Sequence, residues 1–274
     1  MYSGMYFTRY TGRWFGGHQK IDRVAHRVLS QATDMKHFPD KKTVILFEGW
    51  GGPDSIKVKS PAVDEPWHFI DPFDPGDTQL LEIVREHREN LAKELKNGNM
   101  ERAGFEAAWL AHALVDGLTP AHHYPYEETL VELRKGATKD SRTTFKEKLV
   151  MKGDTKSEVM RNNWRMWGFK GLLISHAAYE VGVAAIISPF IFRQVKIDKK
   201  LIARVKDLGF EEYYLQTMRE IALWNMYDEF ERWGWTWSLS KKTRDDLVPK
   251  IIEVVAVSWY LAMQEAGKTT RLKS

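Results

Sequence analysis

The chain has 274 residues, 43% hydrophobic and 12% aromatic, which is enough apolar surface to bury a sizeable core. It has no cysteine, so disulfides and thiolate metal sites are excluded and any transition metal must be held by imidazole and carboxylate. The net charge of +4 is small but uneven, because residues 134–170 carry eleven Lys or Arg against four acids and stand out as a basic insertion.

The first residues, MYSGMYFTRYTG, lack the apolar segment and small-residue cleavage site of a secretory signal, so a cytoplasmic location is the default expectation. Ile21, Val24, Ala25, Val28 and Leu29 recur at helical spacing and predict a first helix over residues 18–32, with His18 at its start. Residues 34–76 are rich in Pro, Gly and Asp and predict a long loop region with one β-prone run, Thr43 to Phe47. Helices are predicted from Asp77 or Thr78 to Gly98 and from Met100 to Val115, the latter ended by Gly117 and Pro120. The basic insertion reads as helical fragments split by Gly136 and Gly153, followed by one long buried helix from Glu158 to Ile187. Gly171 to Phe192 is apolar and long enough to span a bilayer. It carries His176 and Glu180, however, and intramembrane ionisable groups are costly, so a core helix is expected and no transmembrane segment. Further helices are predicted near 198–208, 211–233 and 243–265. The expectation is a multi-helix, all-α fold, one domain over residues 1–274.

His and acid recur at ligand spacing in several of these segments. His112 and Asp116 lie four apart on a predicted helix and share one face, and Gly117 and Pro120 then turn the chain so that His122 can approach the same cavity. His176 and Glu180 repeat the spacing inside the most apolar helix, where a carboxylate needs either a cation or a basic partner. His68 lies in EPWHFIDPFD, and Asp54 lies upstream in GWGGPD. Singly, each pair could be a hydrogen-bonded or solvated pair, and each loop aspartate a turn cap. Together they point to metal.

In order and spacing these residues resemble the zinc-dependent phospholipase C and single-strand nuclease superfamily, all-helical hydrolases with a three-zinc cluster. The family's His, three residues, Asp, three residues, Pro, one residue, His is present as His112, Asp116, Pro120 and His122. Its later His, three residues, acid is present as His176 and Glu180, and HFIDP at His68 matches the surroundings of its earlier histidine. Asp54 takes the place of the aspartate expected about fourteen residues before that histidine, with Asp64 as a substitute.

The resemblance implies one zinc on Asp54, His68, His112 and Asp116 and a second on His122, His176 and Glu180. Asp116 would bridge to a third that also uses His18. His122 is preferred to His123 on spacing, while His26, His37 and His87 match no motif. In secreted members the third zinc also takes the amine and carbonyl of an N-terminal Trp. This chain starts at Met1, and Trp14 would resemble that ligand only after cleavage following Arg13.

The implied reaction is hydrolysis of a phosphodiester by a metal-bound hydroxide, with two or three Zn²⁺ ions, Asp54 orienting or deprotonating the attacking water, and Asp71 a candidate acceptor for a ligand imidazole. Phospholipid is the first substrate class and would entail peripheral membrane contact. Single-stranded nucleic acid is the second, and a non-catalytic metal-stabilised binding protein is the third possibility. Trp164, Trp167 and Phe169 at the end of the basic insertion could stand at the mouth of a site, or the insertion could be a solvated excursion. Trp233, Trp235 and Trp237 could line a cavity or anchor on an interface, but packing in the core is the expected use.

Overall fold

The computed structural model describes residues 1–3, 16–59, 67–137, 141, 144–268 and 272. The fold is all-α, and no strand occurs among the described residues. In chain order the helices are α1 (Gly17–Ala32), α2 (Lys41–Glu48), α3 (Pro53–Lys59), α4 (Gln79–Asn97), α5 (Met100–Gly117), α6 (Tyr126–Leu133) and α7 (Phe145–Leu149). They continue as α8 (Lys156–Trp167), α9 (Leu172–Ile187), α10 (Lys199–Leu208), α11 (Phe210–Ala222), α12 (Met226–Trp233), α13 (Trp237–Lys242) and α14 (Val248–Glu265).

The centre is built on α5 and α14. Ala103, Ala107, Ala108 and Ala111 make α5 narrow enough to be enclosed by α2, α4 and α14. From α14, the fully buried Trp259 fills the space this leaves, and its indole N–H donates to the Ala107 carbonyl at 3.0 Å. Ile251, Ile252, Val255 and Met263 of the same helix are buried with Ile21, Val28 and Leu29 of α1 in one core, and each such side chain contributes roughly 1.5–3 kcal/mol. At the end of α5 a Cβ on Gly117 would stand 2.1 Å from the Tyr214 hydroxyl, so only glycine admits the ring that caps the Ala113 and Leu114 carbonyls.

Three expected element boundaries need correction. The predicted loop region contains α2 and α3, and the β-prone run lies inside α2. Asp40 caps that helix by accepting the Thr43 amide N–H at 2.8 Å, and the one-turn spacing of Val44 and Glu48 puts both inward. The predicted helix from Glu158 to Ile187 is two helices, α8 and α9, because the chain turns at Gly168 and Gly171, with Lys170 at φ 60°. Likewise residues 211–233 divide into α11 and α12 at Asn225, whose φ is 52°.

The expected core helix, α9, buries only Tyr179, Val183, Ala184 and Ile187, and exposes Ile174 and Val181. Residues 156–187 are apolar enough over one stretch to satisfy a length-and-hydropathy test for a membrane helix, yet the break between α8 and α9 leaves a 16-residue apolar helix carrying His176 and Glu180. The basic segment makes a small core of its own, where Leu130 and Leu133 of α6 meet Met151 and Met166. Asn162 closes it by donating to the Leu133 and Lys152 carbonyls. Trp235 stacks on Tyr179 as expected of a packed indole, but Trp233 and Trp237 are 76% and 80% exposed, contrary to expectation.

Candidate metal centre

The last turn of α5 supplies His112 and Asp116 on one face, as the four-residue spacing requires. Asp116 is 1% exposed and is the hub of the site. Its Oδ2 lies 2.5 Å from His68 Nδ1 and 3.1 Å from His112 Nε2. Its Oδ1 lies 3.2 Å from His18 Nε2, 3.4 Å from His122 Nδ1 and 2.6 Å from the Met1 amine.

The turn at Pro120–His122 folds the chain back so that His122 Nε2 reaches Glu180 Oε1 of α9 at 2.9 Å. His176, one turn earlier on α9, faces the same oxygen at 3.2 Å, with its ring stacked on that of His122 at 5.0 Å. Asp54, in the first turn of α3, stands with Oδ1 3.7 Å from His112 Nε2, and its Oδ2 accepts the Ser3 hydroxyl at 2.5 Å. Thus a continuous chain of contacts joins His18, Asp54, His68, His112, Asp116, His122, His176 and Glu180, although they come from α1, α3, α5, α9 and the segments between.

The remaining expectations separate from this cluster. His123 turns to the backbone and pairs with the Gly117 carbonyl at 2.8 Å, and His26 does the same with Pro39. His87 pairs with the buried Glu106, which also forms an ion pair with Arg102. Asp71 is exposed and accepts the Phe73 amide N–H at 2.9 Å, so it caps a turn and is not an acceptor for a ligand imidazole. Asp64 and Trp14 lie outside the described residues.

Four further groups belong to the site. The Met1 amine sits between Asp116 and Glu180, 2.9 Å from Glu180 Oε1. Ser3 holds Asp54 and is itself fixed where Gln19 donates to its carbonyl at 2.5 Å. Glu48, at the end of α2 and fully buried, meets His112 Nδ1 at 2.9 Å and His18 Nδ1 at 3.7 Å. Asp22, buried on α1, follows His18 by four residues, the spacing already noted in His112/Asp116 and His176/Glu180. That repetition was the signal available in the sequence for Asp22, whereas a lone Glu ending a β-prone run offers none for Glu48.

The electrostatics of so many acids and bases in one place are lopsided. Burial alone would raise the Asp116 carboxyl, but His122, the Met1 ammonium, His112 and His18 outweigh it and hold Asp116 well below the usual range. Glu180 is lowered well below its usual value in the same way, by the Met1 ammonium and His176 against burial. Burial pushes His122 down to about 4, while for His112 it is outweighed by Glu48, Asp116 and Asp54, which hold that imidazole well above its ordinary value. Asp22 is pushed well up by burial and by Glu48, as befits a carboxyl with no counter-charge close enough to outweigh them.

These residues suit a metal. Both ring nitrogens of His18, Nε2 of His112 and Nδ1 of His122 are buried without a well-formed hydrogen bond, an arrangement that costs free energy unless something else takes the lone pairs. Among the described residues, three sets of side chains each bring their ligand atoms within 4.8 Å of one another: His18, Glu48 and His112; Asp54, His68 and His112; His122, His176 and Glu180. Imidazole and carboxylate without thiolate is a donor set for zinc and its neighbours.

No protein-family model matches the chain, and no curated protein matches it in sequence. Among solved structures, the chain is similar to the crystal structure of Clostridium perfringens alpha-toxin isolated from an avian strain, with a TM-score of 0.57 over 97% of this chain at 12% identity. The chain spans 66% of that protein, just under two thirds of its length. The likeness shows a shared all-α fold.

Proposed function

We propose that the protein is a zinc-dependent phosphodiester hydrolase of the phospholipase C type, acting as a single domain. The observation that carries this reading is the convergence of five imidazoles and three carboxylates on the surroundings of Asp116 and Glu180, inside a fold shared with alpha-toxin. Asp54, His68, His112 and Asp116 would hold one ion, and His122, His176 and Glu180 a second. Asp116 and His18 would contribute to holding a third.

When bound, zinc supplies Lewis acidity that polarises a phosphoryl oxygen and lowers the pKa of a nearby water to about 7. The chain's own part is positioning and proton transfer. Asp54 is the acceptor for the proton of the attacking water. Its Oδ2 is tied by the Ser3 hydroxyl, which leaves Oδ1 directed at the His112 side of the cluster. The ring of Phe69, stacked on Tyr126 at 4.8 Å and 5.2 Å from His122, walls one side of the cluster.

A lipid substrate is favoured by the apolar surface near α9. Phe169 and Trp237 are 84% and 80% exposed, and Trp235, between Trp233 and Trp237, packs against Ala178 and Gly182 beside the exposed Ile174 and Val181. Indoles whose apolar body and N–H both need partners are suited to a lipid headgroup interface.

The test is to load the purified protein with zinc and offer a phosphatidylcholine emulsion, a chromogenic phosphodiester and single-stranded DNA. Turnover of the first two, abolished by a chelator and by Asp54→Asn, is expected. Turnover of DNA alone would replace the phospholipase C reading with a nuclease, and no turnover at full zinc occupancy would leave a non-catalytic metal protein.

A further inference from the structure

The zinc reading places His112 on one ion and His18 on another, and Glu48 touches both rings from the far side. The two imidazoles are stacked with centroids 4.0 Å apart and planes 5° from parallel, and both turn Nδ1 toward Glu48. One oxygen, Glu48 Oε1, is hydrogen-bonded to His112 Nδ1 at 2.9 Å and lies within ion-pair range of His18 Nδ1 at 3.7 Å, close enough for charge to favour a proton on that nitrogen without a formed hydrogen bond. Both Nε2 atoms face the opposite side, toward Asp116, at 3.1 and 3.2 Å. Glu48 is fully buried, and among the described residues the Ser3 hydroxyl also approaches Oε1, weakly, at 3.4 Å.

We propose that Glu48 is a positioning carboxylate shared by two metal sites: it fixes the Nδ1–H tautomer of His112 and His18 at once, so that each ring offers its Nε2 lone pair to a different ion. The inference deepens the metal reading and rests on it.

A neutral imidazole has one N–H, and the nitrogen facing an anionic acceptor keeps the proton, which commits the other nitrogen to the metal and raises its basicity. Ordinarily each ligand histidine has its own acceptor. Here the parallel stack makes one carboxylate serve two rings, and this couples the sites without any ligand in common on that side. It also gives a reason for burying Glu48, since its Oε1 faces the Nδ1 edges of two imidazoles at once.

The test uses full-length protein, with zinc counted by elemental analysis and its affinity measured by competition with a chromogenic chelator. Glu48→Ala is expected to weaken two of the bound ions together by about 10–100-fold, and Glu48→Gln, which keeps an acceptor oxygen but no charge, by about 3–10-fold. Asp54→Asn should weaken one ion only. Nitrogen-15 spectra of the zinc-loaded protein should show His18 and His112 both protonated at Nδ1, with that pattern lost in Glu48→Ala. Circular dichroism checks folding, and if the Ala variant does not fold, the near-isosteric Gln variant decides. Wild-type affinity in both folded variants overturns the proposal. So does selective loss of a single ion, which would make Glu48 a direct ligand. A wild type that takes up no zinc removes the metal reading and this inference together, whereas a wild type that loads normally beside an equally well-loaded Glu48→Ala removes the inference alone.

Discussion

Asp116→Asn is the perturbation from which the structure predicts most. The substitution keeps shape and volume, so no cavity opens, and it removes one charge from a position within 3.4 Å of four imidazoles and the Met1 amine. Taking one partner from a buried ion pair costs about 3–5 kcal/mol, because the other charge is left uncompensated. Asp116 itself is relieved of desolvation when it becomes neutral, which puts the expected loss at the lower end, about 3 kcal/mol in the metal-free protein. For a chain of this size each kcal/mol moves the melting temperature by about 2–3 °C, so chelated Asp116→Asn should melt roughly 6–9 °C below chelated wild type. After zinc loading the deficit should widen, because bound metal stabilises only a protein that can hold it, and hydrolysis should be lost. Melting of chelated protein followed by circular dichroism, with zinc counted in parallel, measures both effects. A melting temperature within about 1 °C of wild type, with full zinc content, would refute the placement of Asp116 at the hub.

Glu180→Gln should deplete the ion on His122 and His176 and leave the ion on Asp54 and His68 in place, which elemental analysis reads as the loss of one ion per chain. Acid should weaken the metal-free fold through His122, which burial holds at about 4 against an ordinary 6.5. The unfolded chain takes the proton first as pH falls, so this stability is complete above pH 6.5 and is lost between there and about 4, at most about 3 kcal/mol. Denaturant unfolding at pH 7.5, 5.5 and 4 checks it in Asp22→Asn protein, where the raised Asp22 carboxyl cannot offset the loss, and unchanged stability across that window would contradict the burial of a neutral His122. Changing Trp233 and Trp237 together to Ser should cut turnover of emulsified phosphatidylcholine about tenfold or more while leaving the soluble chromogenic phosphodiester within about twofold, because roughly 1.5–3 kcal/mol of interfacial burial per large apolar side chain is available only from the emulsion. Equal losses on both substrates would place these indoles at the site and not at an interface.

The sequence by itself determined the helical class and most of the residues that meet at the site. Apolar positions in α1, α4 and α5 recur with the period of a helix, and His112/Asp116 and His176/Glu180 lie one turn apart, so local geometry alone puts each pair on one face. The tertiary structure decided what local geometry cannot reach. Val44 and Ile45 favour a strand taken alone, and the Asp40 cap together with burial of Val44 and Glu48 makes that run a helix. Apolar composition suggested that α9 would be central, but burial depends on which face finds a neighbour, and α14 and α5 fill the centre while α9 keeps one side open. Glu48 became part of the site only because packing of α2 against α1 and α5 places one oxygen against two imidazoles that are 30 and 64 residues away in the chain, a juxtaposition that no pattern along a single segment records.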